Sequence, residues 1–308
     1  MRFKVHQSKL LLFAMAFAVA ACDDPSVGTG IQTGGGEETG PETEVKIPDY
    51  EDDYSAIAGW GDHNKWNLAN VHDPSIAYYD GYYYMYGTDA SYGNEHLKAS
   101  TGRHFPGKRS KDLVNWTPIS YALKTYLGSI WAPDICKYED KYYIYFTVAH
   151  PKGRMNFVTW AESPYGPWSD PIDLKVGNID PCHVVGEDGS RWLFMSAGKR
   201  VRLTDDGLAI IPETMETVYP GWQYPEEWLT EGMCLEGPKL RKIGEYYYYL
   251  NAEGGTAGPP TSHMVVVARS KSIHGPWEDS PFNPLVHTYD PAERWWSKGH
   301  GSLIDTPE

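Results

Sequence analysis

Four acidic residues stand in short strand-like segments where a carboxylate is costly to keep. They are Asp73 in Asp73-Pro74-Ser75-Ile76, Asp134 in Asp134-Ile135, Asp180 in Asp180-Pro181 and Glu236 in Leu235-Glu236-Gly237-Pro238. Removing a carboxylate from water costs free energy, so such a residue needs partners or has chemistry to do. If the four meet at one place, they cannot all ionise at ordinary values, and at least one is pushed up. A raised carboxyl donates a proton while an ionised neighbour accepts one from water, the pairing that hydrolysis of a glycosidic bond requires. Aromatic side chains beside them, Trp131 first, suit the apolar faces of sugar rings.

The elements that must bring these residues together repeat along the chain. Each unit begins with a short strand carrying a polar residue: Asp73, Asp134, Asp180, Glu236 and finally His300 in Gly299-His300-Gly301-Ser302-Leu303-Ile304. A turn follows, at Asp80-Gly81, Glu139-Asp140, Asp188-Gly189 and Gly244-Glu245. An aromatic strand comes next, at Tyr82–Tyr86, Tyr142–Phe146, Trp192–Met195 and Tyr246–Leu250. These runs lack clean alternation, which predicts cover on both faces. A third strand then leads to a tryptophan corner at Trp116, Gly166-Pro167-Trp168 and Gly275-Pro276-Trp277, with a degenerate copy at Thr204-Asp205-Asp206-Gly207-Leu208.

Units of about 45–65 residues, each with several strands and no amphipathic helix, predict propeller blades. The expected fold is all-β: a five-bladed β-propeller over residues 49–308, with the fifth blade cut short after Glu308 and segment 49–70 adding a closing strand. Inner strands of a propeller line its axis, so residues far apart in sequence share one mouth.

With that arrangement the chain resembles glycoside hydrolase family 43, five-bladed propellers that cleave xylosyl and arabinofuranosyl linkages. The resemblance is carried by His72-Asp73-Pro74-Ser75, Trp131-Ala132-Pro133-Asp134, Ile179-Asp180-Pro181, Leu235-Glu236-Gly237-Pro238 and Gly299-His300-Gly301, in this order. It implies Asp73 as the general base, Glu236 as the general acid and Asp180 as the group that tunes and holds the acid. The residues alone leave Asp134 and Asp180 open for that third role, and blade order favours Asp180. Asp134 is then a supporting residue beside Trp131, and Trp131, Asp134, His263 and His300 are the expected substrate contacts.

An inverting mechanism follows from the resemblance, with acid and base carboxyls roughly 6.5–9.5 Å apart to admit one water. His300 resembles a channel histidine that can help hold a central water or a structural calcium ion; no cofactor is otherwise expected. The family's sugar-contacting arginine on blade five is not reached by residue 308. Ala252-Glu253-Gly254-Gly255-Thr256 with His263 looks like the exo-acting β-xylosidase and α-L-arabinofuranosidase branches. Endo-acting arabinanases and a non-catalytic carbohydrate-binding propeller are the alternatives.

Composition agrees with this. Aromatics reach 14% of 308 residues, which suits β-rich folds with aromatic surfaces. A formal net charge of −14 argues against nucleic acid as a partner and leaves an oligo- or polysaccharide such as xylan, arabinoxylan or arabinan.

Arg2, Lys4 and Lys9 precede the apolar run Leu10–Ala20, too short to span a bilayer, and Ala20-Ala21 lead into Cys22. Residues 1–21 thus resemble a lipoprotein signal, Cys22 the lipid attachment point and 22–48 a flexible linker. An exported protein, lipid-anchored to a bacterial outer membrane or in the periplasm, is expected. Cys136, Cys182 and Cys234 have no CxxC spacing and read as small buried side chains, not metal ligands.

Overall fold

The computed structural model describes residues 71–89, 104–150, 152–293 and 295–304. The expected signal, Cys22, the linker and the closing strand at 49–70 lie outside the described residues. Those described form four antiparallel sheets of four strands, each in simple meander order, and no helix.

Blade one comprises Ser75–Tyr79 (β1), Tyr82–Tyr86 (β2), His104–Ser110 (β3) and Thr117–Leu123 (β4). Blade two comprises Ser129–Tyr138 (β5), Lys141–His150 (β6), Gly153–Ala161 (β7) and Ile172–Asp173 (β8). Blade three comprises Cys182–Val185 (β9), Arg191–Met195 (β10), Lys199–Leu203 (β11) and Ile210–Thr217 (β12). Blade four comprises Glu236–Ile243 (β13), Tyr246–Glu253 (β14), Met264–Ser270 (β15) and Glu278–Asp279 (β16).

The first turn of each blade follows from its residues. Tyr79 pairs with Tyr82 across Asp80-Gly81, both at positive φ (51° and 81°). Such two-residue turns match the strand twist, and Asp and Gly tolerate them best.

The aromatic second strands supply the cores between blades. On β6, Tyr142, Ile144 and Phe146 pack towards blade one, with Tyr84, Tyr86 and Phe105. Tyr143 and Tyr145 on the same strand pack the other way, with Leu193 and Met195 of blade three. On β10, Trp192 and Phe194 turn to Tyr247 and Tyr249 of blade four. Each strand serves two cores, so both faces must be apolar and alternation disappears.

The tryptophan corners reach back to the preceding blade. Trp168 Nε1 donates to the Tyr86 hydroxyl at 3.2 Å, and Trp277 packs edge-on against Phe194. At the degenerate third corner the Gly207 carbonyl accepts the Tyr145 hydroxyl instead.

Two layers encircle the axis. In the upper one the backbone turns left-handed once per inner segment, at Asp73 (φ 48°), Ala132 (38°), Asp180 (59°), Gly237 (58°) and His300 (57°). Two residues on, in the layer below, stand Ser75, Asp134, Cys182, Lys239 and Ser302. Three of these stitch neighbouring segments together. Ser302 Oγ accepts the Ile76 N–H, Ser75 Oγ the Ile135 N–H, and Asp134 Oδ2 the His183 N–H, at 2.9–3.1 Å.

Gly299–Ile304, expected as the fifth inner strand, forms no strand. Within the described residues it has no second strand to pair with, yet it lies against blade one through Ser302 and through Ile304, which packs with Ile76, Tyr78 and Trp116. Of the described cysteines only Cys182 is fully buried; Cys136 and Cys234 are half-buried. Cys136 and Cys182 are free thiols, and burial pushes both up, Cys182 to about 12.

Candidate active site

The upper layer brings together Asp73, Asp180, Glu236, His263 and His300. Asp73 Oδ1 lies 3.3 Å from His300 Nδ1, and Glu236 Oε1 lies 3.2 Å from His263 Nε2. The two imidazole centroids are 6.4 Å apart. Between the pairs, Asp180 Oδ2 accepts the Gly237 N–H at 2.9 Å, and the Asp180 N–H donates to Thr147 Oγ1 at 3.1 Å. Gly237 must be glycine: its φ is positive, and a Cβ there would stand 2.8 Å from His300 Cδ2.

The surroundings push Asp73 and Asp180 apart electrically. Burial pushes Asp73 up, but the imidazole of His300, the Thr88 hydroxyl, His72 and His263 together outweigh it, and its value is lowered. Asp180 goes the opposite way. It is buried first of all, and the charges of Glu236 and Asp73 push it further, well above the usual carboxylate range. His300 is lowered, chiefly by burial, against the opposing pull of Asp73 and Glu236. The Asp73 side chain keeps 28% of its surface, whereas Glu236 keeps 12%. Asp73, the lowered group, is therefore the more open to water of the two.

A raised folded-state value means that Asp180 contributes stability below its unfolded value, and that this is lost as pH rises towards the folded one. Asp180→Asn is thus expected to unfold at higher temperature than the parent at pH 8, with the gap closing at pH 4. Parallel melting curves across that range would refute the assignment.

Asp134 does not join the group. It aligns with Ser75, Cys182 and Ser302 in the lower layer, and the blade-two counterpart of Asp73 is Ala132. Asp134 Oδ1 accepts Lys239 Nζ at 3.0 Å, and Oδ2 is taken by His183 N–H. This ion pair is buried, with 6% and 4% of the two side chains exposed, and Lys239 Nζ also donates to the Pro133 carbonyl. The expected substrate contact is instead a clamp between blades two and four. The two-residue offset follows from the bulge between Trp131 and Asp134, where β5 slips against β6.

Trp131, at the start of that bulge, is half-buried. The Arg154 guanidinium lies 5.0 Å from its ring centroid, and its buried Nε1 has no partner. His263 and His300, also expected to touch sugar, keep 4% and 7% of their side chains exposed and face Glu236 and Asp73. Calcium takes about six to eight oxygens, and among the described residues no three acidic, histidine or cysteine side chains are grouped to hold a metal.

The sequence reading missed Thr88 and Thr147. Thr88 Oγ1 donates to Asp73 Oδ2 and accepts the Ala132 N–H at 2.9 Å, joining the carboxylate to the bulge. Thr147, one blade on, accepts the Asp180 backbone N–H and donates to Asn156 Oδ1, so it holds the backbone and not the carboxyl. The signal was present: each follows the aromatic run of its blade, as does Ser196, whose Oγ accepts the Ile179 N–H.

The family model for glycosyl hydrolases family 43 matches residues 68–308. The chain is 32% identical over 229 residues to a non-reducing end α-L-arabinofuranosidase of Bacteroides ovatus, covering 68% of this chain and 41% of that one. It is 30% identical over 242 residues to a xylan 1,3-β-xylosidase of a Vibrio species, covering 68% and 43%.

The crystal structure of the GH43 BlXynB protein from Bacillus licheniformis superposes with a TM-score of 0.65 at 29% identity, over 77% of this chain and 46% of that one. The chain thus spans less than half the length of these relatives. All five motif stretches fall inside the matched region, and the chain belongs to glycosyl hydrolase family 43.

Proposed function

We propose that this chain carries the catalytic propeller of an inverting exo-glycosidase acting on plant cell-wall polysaccharide, releasing terminal xylosyl or arabinofuranosyl residues. Asp73 takes a proton from water, whose oxygen attacks the anomeric carbon. Glu236 gives its proton to the departing glycosidic oxygen, and Asp180 holds and tunes Glu236. The observation that carries this reading is the electrical split at one mouth: Asp73 lowered and open to water, Asp180 raised and buried, with Glu236 adding to its charge environment. A lowered, water-exposed Asp73 suits the base, and a raised, buried Asp180 next to the charge of Glu236 suits the residue that tunes the acid.

A carbohydrate-binding propeller without catalysis would have no use for this split. Trp131 supplies an unpaired indole N–H and an apolar ring for the sugar.

The test is to incubate the full-length protein with aryl β-xyloside, aryl α-L-arabinofuranoside, linear arabinan and xylan. Monosaccharide from one aryl glycoside is expected, its anomeric configuration inverted by NMR. Oligosaccharides from arabinan without aryl-glycoside cleavage would replace the exo reading with the endo one. Binding without release would overturn both.

A further inference from the structure

Glu253 ends β14 and is wholly buried in the wall behind the proposed acid. Its neighbour Ala252 stands opposite Glu236 in the ladder, and its own cross-strand partner Met264 follows His263. Glu253 Oε1 accepts the backbone N–H of Trp222 at 2.7 Å, while Oε2 is buried without a partner. Gly221 comes so close that a Cβ there would lie 2.7 Å from Oε1.

Trp222 belongs to the long connection 218–235, which runs from the outer edge of blade three to Glu236. The far half of that connection is fastened by backbone bonds, Glu231 N–H to the Gly254 carbonyl and Gly254 N–H to the Met233 carbonyl, both at 2.9 Å. Its near half starts with the Val218 N–H on the Gly198 carbonyl. Between these fastenings Glu253 reaches it through one carboxyl oxygen.

We propose that Glu253 is a positioning residue for the reaction, fixing the 218–235 connection and through it the placement of Glu236 against His263. This rests on Glu236 as the proton donor. A carboxylate with one donor and one orphaned oxygen is costly in a dry wall, whereas a carboxylic acid is not. Burial, with a small push from Asp279, raises Glu253 to about 8 against the bond from Trp222.

The other titratable groups nearby are Tyr219 and Glu231 on the connection, Asp279 on β16 and His263. The Tyr219 hydroxyl bonds Asp279, and Glu231 Oε2 takes the Ala257 N–H at 2.7 Å. With a folded value above the unfolded one, the Glu253 contribution is whole below about pH 4.5 and is lost as pH passes about 8. The connection should loosen over that range.

The experiment compares the full chain with Glu253→Gln and Glu253→Leu by amide hydrogen exchange over residues 219–235 and by kcat and KM against pH. Glutamine keeps an oxygen for the Trp222 N–H and cannot ionise; leucine offers no acceptor. In Glu253→Leu the loop amides should exchange faster and kcat should fall about tenfold or more, with KM moving less. Glu253→Gln should restore both at pH 6 and remove the loosening of the parent above pH 8.

Native exchange and kcat in Glu253→Leu would overturn the proposal, as would exchange in Glu253→Gln that accelerates with pH as in the parent. The second outcome decides even if Glu253→Leu fails to fold. Loss of the proton-donor reading of Glu236 would show in the kinetics alone, leaving the exchange result to judge the hold on the connection.

Discussion

Glu236→Gln is expected to lower kcat by about 10²–10⁴-fold on a substrate whose leaving group is another sugar, the range for removing a general acid. The size of the loss should depend on the leaving group. A sugar hydroxyl leaves only with a proton, whereas a dinitrophenolate leaves without one. The same variant should therefore cleave the activated aryl glycoside within about tenfold of the parent rate. Its melting temperature should change little, because the Glu236 carboxyl has one close side-chain neighbour, His263 at 3.2 Å, and 12% of its surface remains open. An equal loss on both substrates would mean that Glu236 binds or positions and does not donate the proton.

The second large effect concerns stability. Lys239→Met strands Asp134 as a buried charge, with one oxygen left on the His183 N–H and the other on nothing. Breaking a buried pair from one side costs about 3–5 kcal/mol. In a domain of this size that lowers the melting temperature by roughly 6–20 °C. The pair Asp134→Leu with Lys239→Met should recover most of the loss, because replacing both partners by apolar groups removes the stranded charge. If Lys239→Met alone melted like the parent, the clamp across the channel would carry no weight.

These two effects lie in neighbouring layers, and the sequence made one far easier to read than the other. The blade units were legible because the features that define them are local. Asp-Gly turns, aromatic runs such as Tyr142–Phe146 and tryptophan corners such as Gly166-Pro167-Trp168 each have a short-range signature, and the structure contains all of them. Asp73, Asp180 and Glu236 were also legible, each being an acid just ahead of a strand or at its first residue.

Asp134 was misplaced because an aspartate beside a proline looks alike in both layers. Only the slip between Trp131 and Asp134 tells them apart, and a bulge leaves no mark in composition. Thr88, Lys239 and Glu253 were not found for a related reason. Their partners lie 15, 105 and 31 residues away, and such pairings arise only when the ring has formed.

The separation of the two layers bears on how such a protein can change over generations. The residues that seal the ring, Ser75, Asp134, Lys239 and Ser302, act on backbone groups or on one another. The residues at the mouth sit one pleat higher, and the left-handed turn at each of them is held from beneath. Asp, Ala, Asp and His share one backbone shape at positions 73, 132, 180 and 300, so the frame itself accepts different side chains there while the seal stays intact. A change at the mouth alters what the site can do, whereas a one-sided change in the layer below strands a buried group. New specificities on this scaffold need only a change of occupant, not a new frame.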